Sequence, residues 1–476
     1  MATDASAWPE ADALRAGYRA ERARARADRA RSHGKLIGLA IILMLALFLA
    51  AKAEFRSPTS NDALYLYGVT VTSMVLVQMT VAFGFYRDPS RAAAATVAAD
   101  APSEPALVSC LVAVHNEEDV IVECIASLAR QTYRPIEIIV IDDASTDRTI
   151  ETLRLLNDEY DFRVIALDEN VGKKRALAEG ILAARGTIYA FTDSDSIWAP
   201  DALEHAMAAF ASDPEIGAIS GHCRALNGGK NLVTKIQDSW YEGQFSVRKA
   251  FESRFSAVSC VSGPFAAFRK EAIYNFIPAW EADTFLGQEF RFATDRTLTG
   301  LVLGAPYIGK RLRAKHAGSV FLDVTYPDRK WKVVYAKSVR SFTMVPDTFG
   351  RLIKQQVRWK KSFLRNIFFT GRFYWRRPFP AAAAYYLHIL FVLCGPFVAF
   401  RHLIYAPSHG NPTSGVLYLL GIALIGSMFG LAYWREEPGS NRWMYRPLMS
   451  LVSTLVLSWL LFYAAATIKQ MKWSRA

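Results

Sequence analysis

The sequence predicts an α/β domain set between α-helical membrane segments, with amphipathic interface helices where the domain meets the second membrane block. Three observations predict it. Five long apolar runs contain no Asp, Glu, Lys or Arg. Strand-like and helix-like segments alternate from Val108 to Gly221. The stretch Arg351–Arg377 mixes nine basic residues with seven aromatic ones and has no acid. Of the 476 residues, 52% are hydrophobic and 21% charged, which excludes a mainly disordered chain and exceeds one ordinary soluble domain. The five cysteines are scattered, with no C-x-x-C pair, so neither a disulfide framework nor a zinc module is expected and a reducing compartment fits.

Residues 1–35 form a basic tail with eight Lys/Arg against five acids. By the positive-inside rule this tail is cytoplasmic. The run Leu36–Ala51 is slightly short for a span, but Lys35 and Lys52 can snorkel at its ends. Ala51-Lys52-Ala53 resembles a signal-peptide cleavage site, yet the long tail before the run and the second span after it oppose that reading. Ala63–Tyr86 is the second span, so residues 36–86 hold two membrane helices and return the chain to the cytoplasm. An Ala/Pro-rich linker, 87–105, follows. At the other end, Phe379–Phe400, Ser414–Trp434 and Pro447–Ile468 make a C-terminal membrane block over 379–468, before a tail at 469–476. Three simple crossings would put Lys469, Lys472 and Arg475 outside, against the charge rule. One segment is therefore expected to be split or re-entrant, with Cys394-Gly395-Pro396 as the candidate break.

The cytoplasmic domain is expected over 106–345. Val108–Val114 is a nearly continuous apolar run, as in a strand buried on both faces. Glu117–Arg130 has helical spacing. Glu137–Ile141 is a second strand, and Asp147 can cap a helix over Arg148–Leu156. Phe162–Ala166, Lys173–Ala184 and Thr187–Thr192 continue the alternation, Pro200 opens another helix, and Ile216–Gly221 closes the sheet. Ligands of open α/β sheets bind beyond the carboxyl ends of the strands. Acidic residues stand at two such ends, Asp142/Asp143 and Asp193/Asp195. No G-x-G-x-x-G or P-loop is present. Acidic strand ends would repel a diphosphate unless a divalent cation stood between, and Mg²⁺ or Mn²⁺ binds through one or two carboxylates plus substrate phosphates. Capping of the next helix is the plainer use of such acids.

These residues also resemble a family. Val114-His115-Asn116-Glu117-Glu118, Asp142–Thr149 (DDASTDRT) and Asp193-Ser194-Asp195 resemble family 2 glycosyltransferases, which use nucleotide-sugar donors. Gln355-Gln356-Val357-Arg358-Trp359 matches the Q-Q-x-R-W motif of the membrane-embedded processive branch, which includes cellulose, chitin and hyaluronan synthases. With Ser262-Gly263-Pro264, Thr284–Gly287 and Thr294–Thr299 between them, the ordered set is most similar to hyaluronan synthases. The resemblance implies a GT-A type nucleotide-sugar-binding domain, residues 346–378 as interface helices carrying Q-Q-x-R-W, and a cell-membrane enzyme. It implies that Asp143, with Asp142 beside it, holds the nucleoside of a UDP-sugar. Lys173 would approach the diphosphate, Asp193 the nucleotide sugar and Asp195 a Mg²⁺ or Mn²⁺ ion. Asp295, with Arg296 next to it, would supply the general base. Ser262, Gly263 and Pro264 would meet the acceptor, and Gln355, Gln356, Arg358 and Trp359 would close over the donor, Trp359 also meeting the acceptor sugar.

The implied partners are UDP-GlcNAc, UDP-GlcA, a growing polysaccharide and membrane lipids. Nucleic acid is excluded because the basic stretch 351–377 directly precedes a span. Three departures bear on the polymer more than on the reaction: Thr294 stands where an acid is usual, Asn366 where Glu is frequent, and the tail reads Trp473-Ser474-Arg475. A chitin-type synthase and a lipid (ceramide-type) glycosyltransferase are the alternatives. A transporter is a third reading, opposed by His388 being the sole ionisable residue within the spans. Gln78, Tyr385, Tyr386 and His388 could line a product path or simply pack helices. The whole +12 excess lies in residues 1–35 and 351–377, so it is a membrane-facing feature.

Overall fold

The computed structural model describes residues 62–91 and 104–470. The basic tail, the run Leu36–Ala51, most of the linker and the last six residues lie outside them. The chain divides into two compact units. One comprises Met1–Leu76 and Trp434–Asn441; its described residues are the start of one membrane-length helix and the end of another with the turn after it. The other comprises Val77–Tyr433 and Arg442–Ala476 and contains the sheet and the candidate site.

The sheet is built from β1 (Val108–Val114), β2 (Ile136–Asp142), β3 (Arg163–Ala166), β4 (Ile188–Thr192), β5 (Ser196–Trp198), β6 (Ile216–Ala225) and β7 (Ala266–Arg269). A two-residue ribbon, β8 (Thr284–Phe285) with β9 (Gln288–Glu289), stands apart, and β10 (Lys332–Thr343) completes the main sheet. The strand order is β3-β2-β1-β4-β7-β6-β10-β5. β1 lies between β2 and β4, parallel to both, so the chain reverses its direction of growth at the β1/β4 gap. That gap is where an open α/β sheet presents its crevice. The core is the expected one: Val108, Cys110, Val112 and Val114 of β1 pack with Ile121, Ile125 and Leu128 of helix Ile121–Ala129. The N-cap position of helix Thr149–Asn157 is Arg148, and Asp147, one residue earlier, accepts the Thr149 N–H at 3.0 Å.

Two expectations need correction. Ile216–Gly221 does not close the sheet. β6 runs on to Ala225, β7 joins antiparallel between β4 and β6, and β10 pairs with β6 and β5. β10 reads KVVYAKSVRSFT, and its Lys337 and Arg340 break the apolar alternation. It becomes a strand through long-range pairing, which local periodicity does not report. The second correction concerns the break. Helix Phe379–Phe400 passes straight through Gly395 and Pro396. The bend lies instead in the last apolar run, where Arg442–Leu457 and Leu460–Ala466 meet at 44°. There Ser453–Leu457 widens into a π-turn, the Ser458 N–H reaches back to Ser453 O at 2.7 Å, and the Ser458 hydroxyl takes the Thr454 carbonyl at 2.7 Å. Leu64–Arg91, Phe379–Ser408 and Thr413–Glu436 are long and apolar enough to cross a membrane.

A buried ion cluster ties the domain to the interface helix Phe349–Phe369. The Asp283 carboxylate accepts from Lys174 Nζ at 2.7 Å, from the Thr297 hydroxyl at 3.2 Å, and from the Arg365 guanidinium. Lys174 also donates to Phe290 O at 2.7 Å. All three charged groups are almost fully buried. Burial pulls Lys174 and Arg365 below their ordinary pKa values, and Asp283 opposes the shift in both. Removing the shared anion strands two cations. Asp283→Ala is expected to destabilise the protein by about 3–5 kcal/mol, measured as a lower thermal midpoint in detergent, with Asp283→Asn losing less.

Candidate active site

The site is assembled at the carboxyl ends of β1, β2 and β4. At β2, Asp142 accepts from the Ser145 hydroxyl and from its N–H at 3.3 Å, building the turn. Asp143 faces the next loop: its two carboxylate oxygens accept the Val171 N–H at 2.7 Å and the Gly172 N–H at 2.9 Å. Gly172 has φ +87°, a conformation that favours glycine, and it sets the start of helix Lys173–Ala183. Burial raises the Asp143 pKa in spite of these two amides. Asp143 thus clamps the loop that presents Lys173.

Lys173 Nζ pairs with the Asp193 carboxylate just beyond β4. Burial disfavours its ammonium, yet Asp193, Asp195 and Asp295 together hold the pKa above the ordinary lysine value. Asp195 Oδ1 accepts from the Thr343 hydroxyl at 3.1 Å and the Ser196 hydroxyl at 3.3 Å, which joins it to the end of β10. Ser262-Gly263-Pro264 lies directly on this pair. A Cβ at Gly263 would sit 2.5 Å from Asp193 Oδ2, so any side chain there must push the Asp193 carboxylate aside. Pro264 O is fixed by the Trp198 indole N–H at 2.7 Å and the Thr192 hydroxyl at 3.1 Å.

Residues 109–276 match the family model described as Glycosyl transferase family 2. This segment is similar to family 2 glycosyltransferase domains. A mannosyltransferase from Pyrobaculum calidifontis, solved with GDP-Man and Mn²⁺, has a TM-score of 0.51 at 20% identity over 84% of this chain and 99% of that one. The fold is GT-A-like. An N-acetylglucosaminyltransferase of Rhizobium leguminosarum bv. viciae is 31% identical over 56% of this chain, and the match spans 56% of that relative's length. A hyaluronan synthase of Streptococcus pyogenes is 25% identical over 86% of this chain and 90% of its own.

Around the matched segment the remaining motif residues converge on the same acids. Asp295 is in the first turn of helix Thr294–Lys315, and its carboxylate accepts the Arg296 N–H at 2.8 Å and the Cys260 thiol at 3.3 Å. Burial, then the Asp295 charge, pushes the Cys260 thiol up to about 12. Arg296 is held above its ordinary pKa by Cys260 and Asp295, which outweigh its own burial. Arg358 is pulled down by burial while Asp193 and Asp195 oppose the shift, which brings Q-Q-x-R-W within electrostatic reach of the acidic pair. Trp359 packs on Trp240 (5.7 Å between ring centroids) and Tyr241 (6.4 Å) of helix Leu232–Gly243. Gln355 and Gln356 are buried, and Gln356 Nε2 has no hydrogen-bond partner among the described residues. The hydrogen bonds of the Asp142 carboxylate stay within its own turn.

Tyr385, Tyr386 and His388 each contact a neighbouring segment. Tyr385 stacks on Tyr374 at 4.2 Å, the Tyr386 hydroxyl donates to Gly371 O at 2.6 Å, and His388 Nε2 meets Arg248 Nη1 at 3.0 Å. Gln78 is buried in its helix. Lys249, absent from the sequence expectations, is buried beside the site with Nζ 2.5 Å from the Ser262 hydroxyl. No motif flags it, because a lone lysine after an amphipathic helix reads as a solvated end. Gly263→Ala is expected to lower turnover by roughly 100-fold or more, since its methyl must displace the Asp193 carboxylate. Folded protein yield in detergent should be retained, and UDP release measures the loss.

Proposed function

We propose that the chain is a processive, inverting glycosyltransferase that polymerises a β-linked polysaccharide from UDP-sugars at the cytoplasmic face of the cell membrane and passes the product through its own spans. The observation that carries the reading is the convergence of Lys173, Asp193, Asp195, Asp295 and Arg358 at one crevice beside Gly263, where a Cβ would press on the Asp193 carboxylate. Hyaluronan from UDP-GlcNAc and UDP-GlcA is the favoured product, supported by the likeness to the streptococcal synthase over most of both chains. A chitin-type product fits equally, supported by the higher identity to the rhizobial N-acetylglucosaminyltransferase.

In this reading Lys173 and Arg358 flank the diphosphate, and Asp193 orients the donor against the Gly263 backbone. Asp295 takes the proton of the acceptor hydroxyl as it attacks the anomeric carbon. One displacement inverts that centre, so an α-linked donor gives a β-linkage and no second nucleophilic carboxylate is needed. Trp359, backed by Trp240 and Tyr241, offers an aromatic face to the acceptor sugar. The donor set fits a hard divalent cation. Asp195 is a half-buried carboxylate, and no group of three ligating side chains exists among the described residues, so the other ligands would be substrate phosphate oxygens and water. Mg²⁺ or Mn²⁺ held by Asp195 would neutralise charge developing on the UDP leaving group.

Membrane vesicles given UDP-GlcNAc, UDP-GlcA and Mg²⁺ are expected to make a hyaluronidase-sensitive, ethanol-precipitable polymer. Polymer from UDP-GlcNAc alone that only chitinase digests would select the chitin-type product, and an organic-soluble glycolipid would select a lipid acceptor. Chelation with EDTA should stop UDP release, and added Mn²⁺ should restore it. Asp295→Asn is expected to lower UDP release by on the order of 10³-fold while UDP binding persists; retained turnover removes Asp295 from the role of base.

A further inference from the structure

Lys249 closes the π-helical turn Gln244–Lys249 that follows helix Leu232–Gly243, an insertion typical of functional sites. Its side chain runs inward and is 8% exposed. The ammonium donates to the Ser220 hydroxyl at 2.7 Å and to the Ser262 hydroxyl at 2.5 Å, and lies 4.4 Å from the centre of the Phe245 ring. Among the described residues no carboxylate lies within ion-pair distance. A buried ammonium held by two neutral hydroxyls and a ring is costly, and packing alone would be served better by an apolar side chain. Its partners are not arbitrary. Ser220, in mid-β6, also accepts the Ser262 N–H at 3.3 Å, so Lys249 and Ser220 grip the residue next to Gly263 from two sides. Gly263 in turn rests on Asp193.

We propose, resting on the glycosyltransferase reading, that Lys249 is a positioning residue: its ammonium, gripping the Ser220 and Ser262 hydroxyls, locks the Ser262-Gly263-Pro264 turn against Asp193. Lys249 also faces Cys260, Glu252 and Cys223. Glu252 is occupied by the Ser259 hydroxyl at 2.8 Å and the Ser259 N–H at 3.0 Å. The Cys223 and Cys260 thiols are pushed up by burial, so neither offers a thiolate to the ammonium.

In full-length protein in detergent, Lys249→Met is expected to lower kcat for UDP release roughly tenfold, with UDP affinity within about twofold of the parent. Lys249→Arg, which keeps the charge and its donors, should restore most of that kcat. Ser220→Ala removes only a hydroxyl and keeps the test decisive if Lys249→Met does not fold: kcat should fall severalfold with UDP affinity unchanged. Parental kcat in Lys249→Met or in Ser220→Ala, or no recovery in Lys249→Arg, overturns the proposal. Absence of UDP release from the parent with every UDP-sugar instead overturns the glycosyltransferase reading on which it rests.

Discussion

The carboxylate of Asp283 must neutralise two buried cations that come from two separate helices, Lys174 and Arg365. Lys174 reaches it from the helix whose first residue, Lys173, pairs with Asp193. Arg365 reaches it from the interface helix that also bears Gln355–Trp359. The Thr297 hydroxyl reaches it from the first turns of the helix that bears Asp295. Three elements that each hold one part of the site are therefore indexed to one buried anion. Desolvating these charges is expensive, and the expense is recovered only when all the partners are in register. Adjacent residues in Lys173-Lys174 divide the labour: one faces the candidate donor site, and the other fixes the helix that aims it.

A second polar junction joins β6 to the C-terminal helices. Asp238, fully buried, accepts from Arg224 Nε at 3.0 Å, the Tyr433 hydroxyl at 3.0 Å and Arg442 Nη1 at 2.7 Å. Tyr433 lies near the end of a membrane-length helix, and Arg442 opens the bent pair. Beneath Asp238 on the same helix, Glu242 meets His222 Nε2 at 3.2 Å, and His222 Nδ1 meets the Tyr335 hydroxyl at 2.6 Å. The helix Leu232–Gly243 thus carries its ionic grip on one side and, at Trp240 and Tyr241, the aromatic bed of Trp359 on another.

Much of this could be read from the chain because its signals are local. β1, β2 and β4 are short apolar runs ending in acids, and three apolar runs long enough to span a bilayer became helices of that length. What could not be read depends on partners far away in sequence. β10 carries Lys337 and Arg340 and is a strand only because β6 and β5 pair with it. Asp283 and Lys249 are ordinary polar residues in sequence, and their meaning arises from burial against groups up to 109 positions away. Both Asp143 oxygens hold the 171–172 backbone, 28 and 29 positions further on, a contact that motif position alone does not reveal. Proline at 396 suggested a break, but the chain bends where hydroxyls at Ser458 and a π-turn take over the backbone hydrogen bonds.

That bend decides the parity of the membrane passage. Two helices long and apolar enough to cross a membrane precede the angled pair. As one broken span the pair would add a third crossing; as a re-entrant loop it would add none and would leave Lys469 on the side from which the two helices started. The hydroxyl-rich backbone at Ser453–Ser458 is the hinge on which that count turns.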